Sequence, residues 1–86
     1  MVKENIGVKE RMLKLTETEL LILKHMVLNN PTIAKKLNIG ITTVKTHVHN
    51  ILTKFEVPTR TCAILRAINE GIIKTNDLVL YGGADA

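Results

Sequence analysis

Apolar positions in this chain recur at helical spacing and are cut into short runs by Pro, Gly and an Asn pair. The first strong start is Leu15-Thr16-Glu17-Thr18-Glu19-Leu20. Thr16 can cap a helix, Glu19 three residues on completes a capping box, and Leu15 with Leu20 makes a hydrophobic staple. This predicts a first helix to about Leu28, with Leu20, Ile22, Leu23, Met26 and Val27 as its apolar stripe. Asn29-Asn30-Pro31 interrupts it, and Pro31 suits the first turn of a short second helix ending at Leu37. Ile33, Ala34 and Leu37 form its apolar side.

After the turn Asn38-Ile39-Gly40, a third helix is predicted from Ile41 to Phe55. It stops at Val57-Pro58, because proline disfavours helical geometry in the residue before it. Thr59 can cap a fourth helix over 60–70, and Gly71 offers a left-handed end. Upstream, Val8, Met12 and Leu15 share helical spacing and Glu10 pairs with Lys14 at i,i+4, so a short helix near 8–14 is predicted. Leu78-Val79-Leu80-Tyr81 can form a strand or dock on the domain, and 82–86 are expected to fray. The prediction is an all-α domain over 15–73, with an extension at 1–14 and a tail at 74–86.

Composition narrows what such a domain can be. The chain has 86 residues with 45% hydrophobic content, which limits it to one small domain without the layered core of an α/β enzyme. Phe55 and Tyr81 are the only aromatics, so Leu, Ile and Val must build the core. A single cysteine, Cys62, excludes an internal disulfide and suits a reducing compartment. No apolar run reaches the roughly 18 residues of a membrane span, and the N-terminus lacks a signal-peptide core. A cytoplasmic location is expected.

The net charge of +4 is unevenly placed. In residues 1–19, Lys3, Lys9, Arg11 and Lys14 balance Glu4, Glu10, Glu17 and Glu19. Between Leu20 and Phe55 there are Lys24, Lys35, Lys36, Lys45 and Lys54 and no Asp or Glu. A one-signed stretch inside a periodic segment points to a polyanion partner. On a helical wheel, Val44, Val48, Ile51, Leu52 and Phe55 converge. Thr42, Thr46, His49, Asn50 and Thr53 lie opposite, flanked by Lys45 and Lys54. That face lacks the carboxylates of an ordinary solvated helix, and short donors with lysines can meet both phosphates and base edges.

Catalysis is not expected. Cys62 has no His near it in sequence, and His47 and His49 are two residues apart on one helix, hence on nearly opposite faces. That spacing cannot share a metal as an i,i+4 pair can. No glycine-rich phosphate loop is present, so neither a metal nor a cofactor is called for.

Two short helices around a glycine-containing turn have the shape of a helix-turn-helix. The runs Leu15-Thr16-x-x-Glu19-x-x-Ile22-Leu23, Ile33-Ala34-x-x-Leu37-x-Ile39 and Thr43-Val44-Lys45-x-His47-x-x-Asn50-Ile51 resemble the LuxR-type (GerE-type) helix-turn-helix domain. Lys54-Phe55-x-Val57-x-x-Arg60, Ala67 and Gly71-Ile72-Ile73 continue the likeness, which covers about 15–73. The resemblance implies four helices and a DNA-binding transcription regulator with the third helix, about 41–55, in the major groove. It also implies base contacts from the position of Lys45 onward and pairing of two subunits through the fourth helix.

On that basis Lys45, Thr46 and His49 are candidates for base contacts. Thr42, Thr43, Asn50, Lys54, Lys35, Lys36 and Arg60 are candidates for the DNA backbone. Cys62, Leu65, Arg66 and Asn69, opposite the apolar face of the fourth helix, are candidates for a homodimer interface. Double-stranded DNA, a second copy and RNA polymerase are the expected partners, in a nucleoid-associated setting without membrane. The competing expectation is a sigma-factor-like protein-interaction module that does not bind DNA alone.

The sequence departs from the family pattern in three places. The connection into the second helix is about two residues short, Thr18 and Leu21 replace a usual Arg and Glu, and Gly40 replaces the usual Ser cap. Members often carry a receiver or ligand-binding domain in front, which the residues before Leu15 are too few to encode. A complete chain of this length is expected to lack a built-in switch.

Overall fold

A computed structural model describes residue 7 and residues 10–80. Four α-helices follow in order: α1 (Glu17–Lys24), α2 (Asn30–Leu37), α3 (Ile41–Phe55) and α4 (Arg60–Asn69). A 3-10 turn at Thr75–Asp77 completes the described elements, which include no strand. Residues 10–13 are helical and end in a turn at Lys14. The rest of the predicted N-terminal helix includes residues 8 and 9, which lie outside the described residues, as do Tyr81 and the predicted frayed end.

Each helix begins on a side-chain cap, except α3; those of α1 and α4 were expected, and α2 starts one residue before the predicted Pro31. Thr16 Oγ1 accepts from the Glu19 N–H while Glu19 Oε1 accepts from the Thr16 N–H, closing the expected box. Asn29 Oδ1 accepts from Thr32, and Thr59 Oγ1 from Cys62. Gly40 provides no side chain, so the first turn of α3 has no side-chain cap. Its Ile41, Thr42 and Thr43 N–H groups precede the first intrahelical bond, from Val44 to Gly40.

Helix α1 is shorter than predicted. It ends at Lys24, and His25 N–H turns back to Ile22 O, Met26 to Leu23 and Leu28 to His25, all three-residue bonds that tighten the chain. Met26 and Leu28 are buried by this turn, whereas Val27 is 46% exposed and leaves the apolar stripe. His25 is itself buried, its Nδ1 2.8 Å from Leu21 O. It belongs to the core side of the turn.

The other three helices end alike. Asn38 (φ 59°), Glu56 (φ 56°) and Gly71 (φ 78°) adopt the left-handed conformation. The following Ile39, Val57 and Ile72 then donate back to Ala34, Leu52 and Ala67, and all three pack as half-buried apolar residues against the core. This is the Schellman geometry with its apolar contact. α3 lies at the centre, packed on α1, α2 and α4, and it buries Val44, Val48, Ile51 and Phe55. Met12 joins the core from the N-terminal segment and Ile73 from beyond α4. The described part of the tail, to residue 80, docks and forms no strand: Val79 N–H donates to Lys24 O at the end of α1.

Candidate nucleic-acid interface

The core side of α3 holds four buried apolar residues, so its opposite side must face outward. Thr42, Thr43, Lys45, Thr46, His49 and Thr53 are all exposed, and Asn50 is half-buried at the margin. Thr46 Oγ1 donates to Thr42 O at 3.1 Å and Thr53 Oγ1 to His49 O at 2.9 Å. Their hydroxyl hydrogens are therefore used within the helix, leaving acceptor lone pairs and methyl groups outward. Lys45 and His49 stand one turn apart on the same side. Lys35 is exposed and Lys36 half-buried on α2. Among the described residues, no carboxylate pairs with Lys35, Lys36 or Lys45.

The uncapped first turn adds a second source of positive potential. Three N–H groups without intrahelical partners sit at the N-terminus of a fifteen-residue helix, where the macrodipole favours an anion. Thr42 and Thr43 carry hydroxyls in that same turn. The exposed outer face thus offers cations, amide donors and short polar side chains with nothing acidic among them.

Two other cations expected on the DNA-facing list are bound within the fold. Lys54 Nζ lies 2.6 Å from Glu19 Oε1, the same oxygen that receives the Thr16 N–H. Burial alone raises the Glu19 pKa, but the Lys54 hydrogen bond, the Thr16 N–H and the charges of Lys54 and His47 outweigh it. The carboxyl is held below its ordinary 4.5. Arg60 Nε donates to Met26 O at 3.2 Å, Nη1 to Asn30 Oδ1 at 2.6 Å and Nη2 to Leu28 O at 2.5 Å. Burial lowers the pKa of its guanidinium. His47 turns inward and is half-buried, its Nδ1 shut from solvent without a hydrogen-bond partner.

On α4, Ala63, Ile64 and Ala67 are buried, while Cys62, Leu65 and Asn69 face solvent, with Leu65 61% exposed. Arg66, placed by its sequence position on this outer side, is half-buried and directs Nη1 toward Phe55 O at 3.4 Å. No group of three or more His, Cys, Asp or Glu is placed to hold a metal among the described residues. No described helix is long and apolar enough to cross a membrane.

Comparison with known families bears directly on this arrangement. The sequence profile described as "Bacterial regulatory proteins, luxR family" matches residues 13–67, more than half of the chain. The chain belongs to this luxR family.

Within it, the transcriptional regulatory protein YxjL of Bacillus subtilis is 46% identical over 61 residues, covering 69% of this chain and 28% of YxjL. The response regulator protein VraR of Staphylococcus saprophyticus is 40% identical over 79 residues, covering 86% of this chain and 38% of VraR. VraR of Staphylococcus aureus strain Mu3 is 44% identical over 63 residues, covering 73% and 30% respectively. The chain thus spans roughly a third of the length of these luxR-family relatives. No solved structure matches it.

Sequence reasoning missed three features of this luxR-family domain. The Lys54–Glu19 pair joins residues 35 apart, and nothing local announces it. The Arg60 fork likewise spans 30 to 34 residues. The left-handed ends at Asn38 and Glu56 did have a signal: an apolar residue, Ile39 or Val57, immediately after the last helical turn.

Proposed function

We propose that this domain is a DNA-binding transcription regulator that reads the major groove with α3. The observation that carries the reading is an exposed helix face with lysine and amide donors and no carboxylate, on the helix around which the whole domain packs. Lys45, Thr46 and His49 meet base edges. Thr42, Thr43, Asn50, Lys35 and Lys36 meet phosphates, aided by the free N–H groups of the first turn. Family membership and relatives whose names describe transcriptional and response regulators support this assignment.

The test is the salt dependence of duplex binding. With about four phosphate contacts per subunit, log affinity falls with log salt at a slope of about −3.6, each contact adding about −0.9. A slope near zero overturns the DNA reading in favour of a protein-interaction module.

We also infer that two copies pair through the outer face of α4. An exposed Leu65 between Cys62 and Asn69 supports this, because a two-fold contact would remove that side chain from water. Leu65→Glu is expected to yield a folded monomer at tens of micromolar that binds a two-half-site duplex at least about tenfold more weakly. Sedimentation showing wild type and variant both monomeric would count against the α4 face. RNA polymerase as a further partner, and a cytoplasmic, nucleoid-associated setting, follow from the same reading.

A further inference from the structure

Arg60 opens α4, yet its guanidinium is used 30 to 34 residues upstream, on the α1–α2 connection and the first residue of α2. Its three nitrogens engage the Met26 carbonyl, the Leu28 carbonyl and the Asn30 side chain. Met26 and Leu28 lie in the tightened turn after α1, and Asn30 is the first residue of α2. The fork therefore spans the whole connection, from the last turn after one helix to the first residue of the next. Asn29 simultaneously caps α2 through Thr32, so the two adjacent asparagines have different tasks. The connection is short, and this brings Asn30 within reach of the same cation that holds Leu28.

The acceptors explain why the residue must be arginine. All three are neutral, so the attraction is directional hydrogen bonding more than charge pairing. A rigid planar fork satisfies separated acceptors that a single ammonium cannot. The position also matters. α2 buries Ile33 and Ala34 beneath α3, so the pitch of α2 sets how α3 stands out from the domain. On the other side, Arg60 belongs to the helix whose outer face carries Leu65.

We propose that Arg60 is a positioning residue for DNA recognition: its fork fixes the α1–α2 connection, and through α2 it sets the presentation of α3. This rests on the DNA-binding reading above. It assigns Arg60 a task within the fold where its charge and sequence position had suggested a phosphate contact.

The experiment compares the full chain, Arg60→Lys and Asn30→Ala, at a temperature where circular dichroism shows all three folded. One arm measures duplex affinity across a salt series. The other measures amide hydrogen exchange of residues 28–34 without DNA. Arg60→Lys keeps the charge and loses the fork. Affinity is expected to fall about tenfold with the wild-type salt slope retained, and exchange in 28–34 to quicken by a similar factor. Asn30→Ala, which removes one acceptor only, is expected to move both readouts the same way by about threefold.

Three results overturn the proposal. Wild-type affinity in Arg60→Lys, together with a salt slope flattened by about 0.9 in a further folded variant, Arg60→Ala, identifies a phosphate contact. Unchanged exchange over 28–34 in Arg60→Lys removes the brace. Lower thermal stability with unchanged affinity of the folded variant reduces Arg60 to a stabilising contact. Wild type without salt-dependent binding fails the DNA reading itself, and the exchange arm then judges the brace separately.

Discussion

At the start of α3, Lys45 stands in solvent beside Thr42, Thr43 and three N–H groups without intrahelical partners, and Lys35 is exposed on the neighbouring α2. At its end, Lys54 is held by Glu19, Arg11 pairs with Glu56 and also reaches Lys54 O, and Arg66 reaches Phe55 O. Both ends belong to one helix and both are rich in cations. The difference is what passes nearby. α1 brings Glu19 against the last turns, and the N-terminal segment brings Arg11, while no described carboxylate pairs with a cation of the first turns. Cations at the end of α3 are tied to other parts of the fold; those at its start are exposed and pair with no described carboxylate. A charge count along the sequence cannot separate the two groups, because the separation is made by residues 11 and 19.

The largest test of that division is Lys54→Ala. Removing one member of a buried pair strands the other, at about 3–5 kcal/mol when both are enclosed. The Lys54 side chain is 30% exposed against 7% for Glu19, so solvent reduces the expected loss to about 2 kcal/mol. For a domain of this size the melting temperature should fall by about 10 °C. Adding Glu19→Gln should recover much of the loss, since glutamine keeps the capping box and removes the stranded charge. The pair also has a pH signature. The folded-state pKa of Glu19 is lowered, so its contribution is present above 4.5 and is lost as pH falls through the lower folded value. Urea midpoints between pH 7 and pH 3 should therefore fall further for wild type than for Glu19→Gln. Equal acid sensitivity would mean that the pair contributes nothing.

Lys45→Ala is the counterpart at the other end. Lys45 is exposed and pairs with no carboxylate among the described residues, so stability should stay within about 0.5 kcal/mol of wild type. DNA binding should carry the whole effect, with discrimination at one base position reduced by about 1–3 kcal/mol. Competition with single-base variants of a selected duplex measures it. A stability loss comparable to Lys54→Ala would erase the distinction between the two ends.

How much of this was legible follows the range of each interaction. The caps at Thr16 and Thr59 act over three residues and were readable in the sequence, whereas Asn29, read only as part of the break before the second helix, caps α2 in the same way. The bounds of α3 and its buried stripe followed from periodicity and from Pro58. The end of α1 did not, because the apolar run through Leu28 continues the helical pattern while the backbone has already tightened into three-residue bonds. Within the candidate site, the outward residues of α3 were readable from the wheel. The fates of Lys54 and Arg60 were not, since they depend on which carboxylate or carbonyl the fold brings from about thirty residues away. Arg66 shows the same limit on a smaller scale: its long side chain reaches back to Phe55 from a position the wheel sets outward.

The smallest effect lies at Glu56, where the two demands on the end of α3 meet. Its φ of 56° belongs to the left-handed region, which costs a side-chain-bearing residue about 1–2 kcal/mol and glycine almost nothing. Glycine also loses more freedom on folding, which returns about 0.4–1 kcal/mol of that advantage. Replacing Glu56 further removes the Arg11 pair, worth about 0.5 kcal/mol with side chains 44% and 58% exposed. Glu56→Gly should therefore stay within about 0.5 kcal/mol of wild type, two sizeable terms nearly cancelling. Glu56→Gln separates them, because it keeps the strained backbone and loses only the charge. It should be less stable than wild type by a few tenths of a kcal/mol and less stable than Glu56→Gly by about 0.5. Urea unfolding of the three proteins at pH 7 measures both differences. If Glu56→Gln is as stable as wild type while Glu56→Gly is clearly weaker, neither the Arg11 pair nor the backbone conformation at residue 56 has the energetic weight assigned here. The last turn of α3 would then depend on the Lys54–Glu19 pair and the Schellman bond from Val57 to Leu52.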